Sequence, residues 1–414
     1  MFLLLKTSYK EKMKIVSINA MTEGSTGKIM LQIASSARKE GMEAYTFSTN
    51  SSGKYYKKLP PAPEGHFYYS TFAENFVHLS LGMVTGYQEC FGQFNTWRLL
   101  KKIDNIQPDI IHLHNLHSAY VNLEMLFKYI KKRHIKVVWT LHDCWAFTGQ
   151  CPYFDSVACD KWKKGCYSCK QYKQYPKAYI DKTREMWKLK RKWFTMPEEL
   201  IFVTPSNWLA NLVRQSFLKQ YPVKVINNGI SLEIFKPRKG TLREHYNLID
   251  KKIILGVSFS WGYRKGLDVF VYLSEHLSDE YQIILVGTTE DIDKQLPTNI
   301  ISIHKTSNQI ELAEIYSSAD VFLNPTREDN YPTVNMEALA CGTPVITFET
   351  GGSPEMLDSS CGIVVECDDL AGIERGIKEI CFGTKYSRDA CVLHAQTFDK
   401  EQKFKEYIEL YKQL

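Results

Sequence analysis

Short runs rich in β-branched and aromatic residues alternate with helical patterns almost to the end of this chain. Parallel sheets covered on both faces by crossover helices satisfy that alternation. Strands are expected at 14–20, 44–49, 109–115, 136–142, 200–205 and 223–227. A second set is expected at 252–258, 282–287, 300–304, 321–325, 344–348 and 362–366. Two sets in 414 residues predict an α/β protein of two doubly wound, Rossmann-like domains facing across a cleft. The first spans 13–232, with a cysteine-rich insertion at 144–170, and the second spans 238–396. The stretch from Asn228-Gly229 through Lys236-Pro237 breaks the pattern between them. In 397–414, Phe404, Tyr407, Ile408, Tyr411 and Leu414 share one helical face with no strand after it. That helix is expected to pack back across the domains.

A formal net charge of +6 is too small to suggest nucleic acid as a partner. No apolar run reaches membrane-spanning length. Met1-Phe2-Leu3-Leu4-Leu5 is too short for a secretory signal core. The first twelve residues read as a loose extension, and the chain is expected to be cytoplasmic. Residues 183–194 form a basic amphipathic pattern, with Met186, Leu189 and Trp193 on one side and Lys188, Arg191 and Lys192 around it. Such a helix either lies on anionic lipid or turns one side into a core. Contact with the inner face of a membrane is therefore an expectation.

Ligands of doubly wound sheets bind beyond the carboxyl ends of the strands, so the loops there are the candidate sites. The first is Met21-Thr22-Glu23-Gly24-Ser25-Thr26-Gly27-Lys28, with a helix expected from near Ile29. The Walker spacing fails, because Thr22 stands where a glycine is needed and Ile29 where Ser or Thr is needed. Gly24 and Gly27 still allow a phosphate to approach backbone amides; the plain alternative is a tight turn. Histidines follow at His112, His114 and His117, and at His142. His142 is the preferred catalytic candidate because Asp143 follows it. In the second half, Arg264 and Lys265 stand beside a helix start, where paired cations can neutralise a diphosphate. The run Glu328-Asp329-Asn330-Tyr331-Pro332-Thr333-Val334-Asn335-Met336-Glu337 places carboxylates in a loop and on the helix after it. Carboxylates accept paired hydrogen bonds from vicinal hydroxyls, as sugars and ribose offer.

Five of the eleven cysteines lie between Cys144 and Cys169. Cys166 and Cys169 have the spacing of half a zinc site, and Cys151 and Cys159 would complete four sulfur ligands. The alternatives are reduced thiols or a disulfide. Cys341 and Cys381 sit in apolar helical contexts and read as core residues.

From Lys14 to the last helix, these motifs together resemble the family 4 glycosyltransferases, retaining enzymes of the GT-B fold. Asp329 to Glu337 is similar to the family's paired acidic motif. The resemblance implies that Asp329, or its neighbour Glu328, contacts the donor sugar and that Glu337 holds the nucleotide ribose. It implies Arg264 and Lys265 at the donor diphosphate, Gly24 and Gly27 facing it from the other domain, and Asn330 and Tyr331 among the donor contacts. Asn227 stands where proline is usual, and Phe259 or Ser260 where the family's arginine is usual. The segment from His142 to Tyr153 resembles a subgroup found in bacterial surface-polysaccharide clusters.

The implied reaction moves a sugar from a nucleotide diphosphate sugar to a hydroxyl of a glycan or lipid-linked glycan, in capsule, exopolysaccharide or O-antigen assembly. No Asp-x-Asp signature stands out, so no metal or other cofactor is expected for catalysis; the one metal expectation is the structural zinc. Two other readings share the architecture: a nucleotide-sugar 2-epimerase, and a non-catalytic nucleotide-sugar-binding subunit of a polysaccharide complex.

Overall fold

The computed structural model describes residues 12–49 and 62–414. The extension expected before the first strand lies, but for Lys12, outside the described residues. The first domain carries strands β1 (Lys14–Ile18), β2 (Glu43–Ser48), β3 (His66–Tyr68), β4 (Ile110–Leu113), β5 (Lys136–Thr140), β6 (Leu200–Thr204) and β7 (Val223–Val225). They form one parallel sheet in the order β3-β2-β1-β4-β5-β6-β7. Its helices are α1 (Gly24–Lys39), α2 (Phe72–Thr85), α3 (Gln93–Ile106), α4 (Leu123–Arg133), α5 (Thr183–Phe194) and α6 (Asn207–Gln215).

The second domain carries β8 (Lys252–Val257), β9 (Tyr281–Val286), β10 (Ile300–Ile303), β11 (Val321–Asn324), β12 (Val345–Phe348) and β13 (Gly362–Val365). These also run parallel, in the order β10-β9-β8-β11-β12-β13. The helices from there on are α7 (Leu242–His245), α8 (Leu267–His276), α9 (Glu290–Asp293), α10 (Gln309–Ser318), α11 (Thr333–Ala340), α12 (Leu370–Phe382), α13 (Arg388–Ala395) and α14 (Lys400–Gln413).

Every strand expected from the alternation is present; β3 is the one the pattern did not show. It has three residues, too few for a period. Its His66 ring bonds Thr46 Oγ1 (2.8 Å) and Ser48 Oγ (3.1 Å) of β2 instead of presenting an apolar face. Helix α1 begins at Gly24, earlier than its apolar periodicity suggests, because Gly24-Ser25-Thr26-Gly27 carries no apolar side chain to mark the turn.

Alternate residues of each strand serve opposite cores, as the pleat requires. In the first sheet Val16, Ile18, Ile111, Trp139 and Phe202 join Leu126, Phe127, Trp193 and Phe194 from α4 and α5. The other face, with Ile15, Ile110, Val138 and Val203, is covered by Ile29 and Ile33 of α1 and by Phe404, Tyr407, Ile408 and Tyr411 of α14. The last helix of the chain thus packs on the first domain. Two backbone bonds bring it there, Ile230 N–H to Phe398 O (2.8 Å) and Lys400 N–H to Ile230 O (3.0 Å). The outgoing and returning chains pass so closely that a Cβ on Gly229 would sit 2.5 Å from Lys400 Cα.

The apolar side of α5 is consumed here too: Met186, Trp193 and Phe194 are buried in the first core. Of the two alternatives for the 183–194 helix, the structure shows the second: that side is turned into the core and is not offered to lipid.

Neighbours β1 and β4 in the first sheet, and β8 and β11 in the second, mark where strand order reverses. Chains leaving adjacent strands in opposite directions there open a crevice. The loops after those four strands are the glycine loop, the histidine loop, the Arg264–Lys265 loop and the acidic loop.

Candidate active site

On the second domain, the loops after β8 and β11 are bound to each other. Lys265 Nζ lies 2.5 Å from Asp329 Oδ2, and each side chain is 19% exposed. Arg264 donates from Nη1 to Glu328 O (3.0 Å), and Arg327 N–H donates to Arg264 O (2.9 Å). Gly266, in the left-handed region at φ 71°, lets the chain turn against Pro325; a Cβ there would meet Pro325 O at 2.4 Å.

Arg327, which sequence reasoning did not single out, fixes the whole arrangement. Its guanidinium makes a bidentate pair with Asp268 (2.9 and 2.8 Å), bonds Asp368 and lies 3.8 Å over the Tyr263 ring. A planar fork with that many partners holds a loop rigidly. Its motif signal is absent because Asp268 and Asp368 are far away in sequence.

Glu337 projects from α11 and is half-buried. Burial pushes its carboxyl up to about 7, against the Tyr316 hydroxyl, which donates to Oε2 (3.2 Å), and Lys28 of the glycine loop. Lys28 stands in the first turns of α1, so its charge acts on Glu337 from the first domain. In the glycine loop Gly27 is required by the chain itself: a Cβ would sit 2.4 Å from Thr22 O. Gly24, at φ 77°, has open space around its Cβ position. Asn19 holds the loop in place, donating to Met21 O (2.8 Å) and accepting from Asn115 N–H (3.1 Å).

Several of the same residues bridge the two domains. Glu328 Oε1 accepts from Ser156 N–H (2.9 Å) of the cysteine segment. Asn330 spends both ends of its amide across the cleft, accepting from Ser206 Oγ (2.7 Å) and donating to His142 O (3.1 Å). Glu355, also missed in sequence, accepts from Asn207 N–H (2.7 Å) and Trp208 N–H (2.6 Å) at the amino end of α6. A carboxylate on open helix amides is favoured by both hydrogen bonding and the helix dipole. Tyr331, expected among the donor contacts, instead packs its ring into the second domain's core at 6% exposure.

A family profile described as "Glycosyltransferase Family 4" matches residues 27–234, and one described as "Glycosyl transferases group 1" matches residues 251–381. The chain belongs to the family 4 glycosyltransferases.

Among its relatives is a protein named as the colanic acid biosynthesis glycosyl transferase WcaC of Escherichia coli. It is 27% identical over 345 residues, which are 79% of this chain and 82% of that one. A Campylobacter jejuni enzyme named "N,N'-diacetylbacillosaminyl-diphospho-undecaprenol alpha-1,3-N-acetylgalactosaminyltransferase" is 24% identical over 177 residues, 40% of this chain and 46% of that one. Sucrose-phosphate synthase from Thermosynechococcus elongatus shares the fold with a TM-score of 0.67 at 17% identity, covering 97% of this chain and 99% of that one. Anabaena HepE, solved with UDP-glucose, has a TM-score of 0.66 at 13% identity, covering 97% of this chain and all of that one (100%).

In this glycosyltransferase the histidines stack at the carboxyl ends of β4 and β5. His112 bonds Tyr411 OH (2.6 Å) and Thr140 Oγ1 (2.8 Å), and His114 Nδ1 faces His142 Nε2 (3.2 Å). Burial pulls His142 down to about 4 and His112 to about 3, so both are neutral at physiological pH. The expectation that Asp143 serves His142 is corrected. Asp143 Oδ2 pairs with His117 Nε2 (3.0 Å), and its Oδ1 accepts from Trp145 N–H (2.9 Å). Beyond a strand end, consecutive side chains need not point the same way, and here they part.

Proposed function

We propose that this glycosyltransferase moves a sugar, with retained anomeric configuration, from a nucleotide diphosphate sugar to a hydroxyl of a glycan or lipid-linked glycan in surface-polysaccharide assembly. The observation that carries this reading is the Lys265–Asp329 pair at the second domain's switch point, beside Arg264 and in the loop that leads into α11, which carries Glu337. The bond from the anomeric carbon to the diphosphate oxygen breaks, and the acceptor oxygen takes its place. The acceptor proton leaves with the departing diphosphate. Arg264 and Lys265 stabilise the charge that grows on the leaving group, the kind of preorganised interaction that dominates such reactions. Glu337 accepts from the ribose hydroxyls. Asp329 contacts the sugar on this reading, which its pairing with Lys265 supports, while Glu328 is engaged with the first domain through Ser156. The names of the colanic acid and undecaprenol-linked relatives support a surface glycan as product and a lipid-linked acceptor.

The experiment offers UDP-, GDP-, ADP- and CDP-sugars with a polyprenyl-diphosphate glycan and follows free nucleotide and the anomeric proton of the product. Acceptor-dependent nucleotide release with retention is expected. Release without acceptor, or a sugar epimerised on its nucleotide, would replace transfer by the epimerase reading. No release or binding with any donor would sink the proposal.

A membrane surface is the reading's second element, and α2 supports it. No helix among the described residues is long and apolar enough to cross a membrane. Helix α2, however, is turned inside out. It buries Asn75 and His78, Asn75 bonding Ser70 Oγ (2.9 Å) and accepting from Asn95 Nδ2 (3.1 Å). It exposes Phe72 (64%), Phe76 (58%), Val77 and Val84. Phe94 and Trp97 of α3 are also exposed, with Arg98 and Lys101 over their rings at 4.9 and 3.9 Å. An apolar face rimmed by aromatic rings and cations matches an anionic bilayer.

Replacing Phe72 and Phe76 by serine is expected to lower co-sedimentation with phosphatidylglycerol vesicles by roughly tenfold or more per ring, at about 1.5 kcal/mol each. Activity on a water-soluble acceptor should be unchanged. Equal vesicle binding by the variant, or none by the wild type at low salt, would remove the membrane element and leave the transfer reading intact.

A further inference from the structure

The segment between β5 and α5 contains no strand and no α-helix, only three single-turn 3₁₀ helices. Connections of that length without structure of their own usually need something to tie them down. Cys151, Cys159, Cys166 and Cys169 all line one cavity of ≈170 Å³ inside this segment. All four are free thiols. Cys144, by contrast, is fully buried in the first domain's core.

Two backbone amides are aimed at these sulfurs. Gly149 N–H donates to Cys166 Sγ (3.1 Å), and Gln171 N–H donates to Cys169 Sγ (3.4 Å). The first requires glycine: a Cβ on Gly149 would sit 2.9 Å from Cys166 Cβ and 2.5 Å from Thr183 O. A thiol is a weak acceptor, whereas a thiolate takes such bonds readily. The turn from Cys166 to Cys169 brings Ser168 into the left-handed region at φ 44°, unusual for a residue with a side chain.

The charges around the cavity want an anion. Lys190 is 1% exposed, and its ammonium donates to Trp145 O (2.7 Å) and Thr148 O (3.1 Å) without a carboxylate in ion-pair reach among the described residues. Lys161 donates to Tyr167 O (3.1 Å) and Ser168 O (3.2 Å), beside the same turn. A divalent metal ionises the thiols that hold it, and those thiolates would supply the anion.

We infer that Cys151, Cys159, Cys166 and Cys169 together bind one structural zinc ion as a tetrathiolate. Four thiolates on Zn²⁺ carry two net negative charges, which Lys190 and Lys161 answer. The four sulfurs are more open than a tetrahedral set: among the described residues, the three-ligand group within 4.8 Å is Asp358, Cys361 and His394. That group is already satisfied without a metal, since His394 spends Nδ1 on Asp358 (2.9 Å) and Nε2 on Met356 O (2.9 Å). At the cysteine cavity the ion would draw the sulfurs inward, each releasing its proton. An all-cysteine set off the cleft fits a structural zinc, and iron, which takes the same ligands, is the outcome that the test separates by its chromophore. Its effect would reach the cleft, because Ser156 of the pinned segment donates to Glu328.

The test is metal analysis of the purified full-length protein, which does not depend on sugar transfer. One zinc per chain is expected, lost in Cys166→Ser/Cys169→Ser and kept in Cys367→Ser, whose thiol is exposed elsewhere. Protein grown with cobalt should show sulfur-to-cobalt charge-transfer bands and the intense visible bands of a tetrahedral site. Where the double variant fails to fold, titrating the wild type with a mercurial and following zinc release decides alone. A metal-free protein with four alkylatable thiols, a disulfide found by mass, or an iron chromophore would each overturn the inference.

Discussion

Lys265→Ala is expected to lower kcat/KM by roughly 10²–10³-fold, the loss typical of removing a preorganised group that meets charge developing in a transition state. In the free enzyme Lys265 is held 2.5 Å from Asp329 Oδ2, and Asp329 Oδ1 accepts from Asn330 N–H (2.9 Å). This pair aims the ammonium into the crevice between β8 and β11 before any donor arrives. Two explanations of a slow variant must be told apart. If Lys265 serves only to neutralise Asp329, then Lys265→Ala/Asp329→Asn should be no slower than Asp329→Asn alone. If Lys265 meets the diphosphate, the double variant is slower than Asp329→Asn by nearly the full effect of Lys265→Ala. A double-mutant cycle on kcat/KM, with donor affinity measured separately, reads the difference. Near wild-type activity in Lys265→Ala would remove the leaving-group role altogether. Arg264 offers a control, since its guanidinium is tied to Glu328 O rather than to a carboxylate. Its loss should slow transfer without uncovering a buried charge.

Residues that signal by local pattern were legible in the sequence, and residues that work through distant partners were not. The β-branched runs gave the strands, because a strand buried on both faces needs a continuous apolar stretch. Lys265 stands out because it follows a strand at a loop where charge has no packing purpose, and Glu337 because it is the carboxylate on the helix that follows the acidic loop. Arg327, Glu355 and Ser206 carry no such mark. Arg327 matters through Asp268 and Asp368, Glu355 through the open amides of α6, and Ser206 through Asn330. All of these meetings are set by how the loops and domains come together, which no window of sequence displays. His142 and Asp143 show the opposite error, adjacency read as partnership. The turn after β5 sends Asp143 to His117 and leaves His142 stacked on His114. Helix α2 shows a third kind. It drew no reading from the sequence, and the bonds of Asn75 reveal that the polar side is the one inside.

Glu337→Gln is expected to raise the melting temperature of the ligand-free enzyme above neutral pH while lowering kcat/KM by roughly 10- to 150-fold. The kinetic part follows from losing hydrogen bonds to a charged acceptor, about 1.5–3 kcal/mol. The stability part follows from linkage. Burial raises the Glu337 carboxyl to about 7 in the fold, against 4.5 for the free side chain, despite the help of Tyr316 and Lys28. A carboxyl whose folded pKa is raised is destabilised in its charged form. That cost is absent below about 4.5, grows as pH rises through the interval, and is complete above 7. Glutamine keeps the shape without the charge, so its advantage should appear only over that window. Donor affinity should move the other way: in the wild type it rises as Glu337 ionises, and in the variant this component disappears. Melting curves and donor titrations about one pH unit either side of the folded value separate the two effects. A variant less stable at both pH values would refute the desolvation argument. Unchanged donor affinity above neutrality would instead remove Glu337 from the ribose. The carboxylate that binds the donor is, on this account, one the empty fold holds at a cost, and the incoming ribose hydroxyls relieve it.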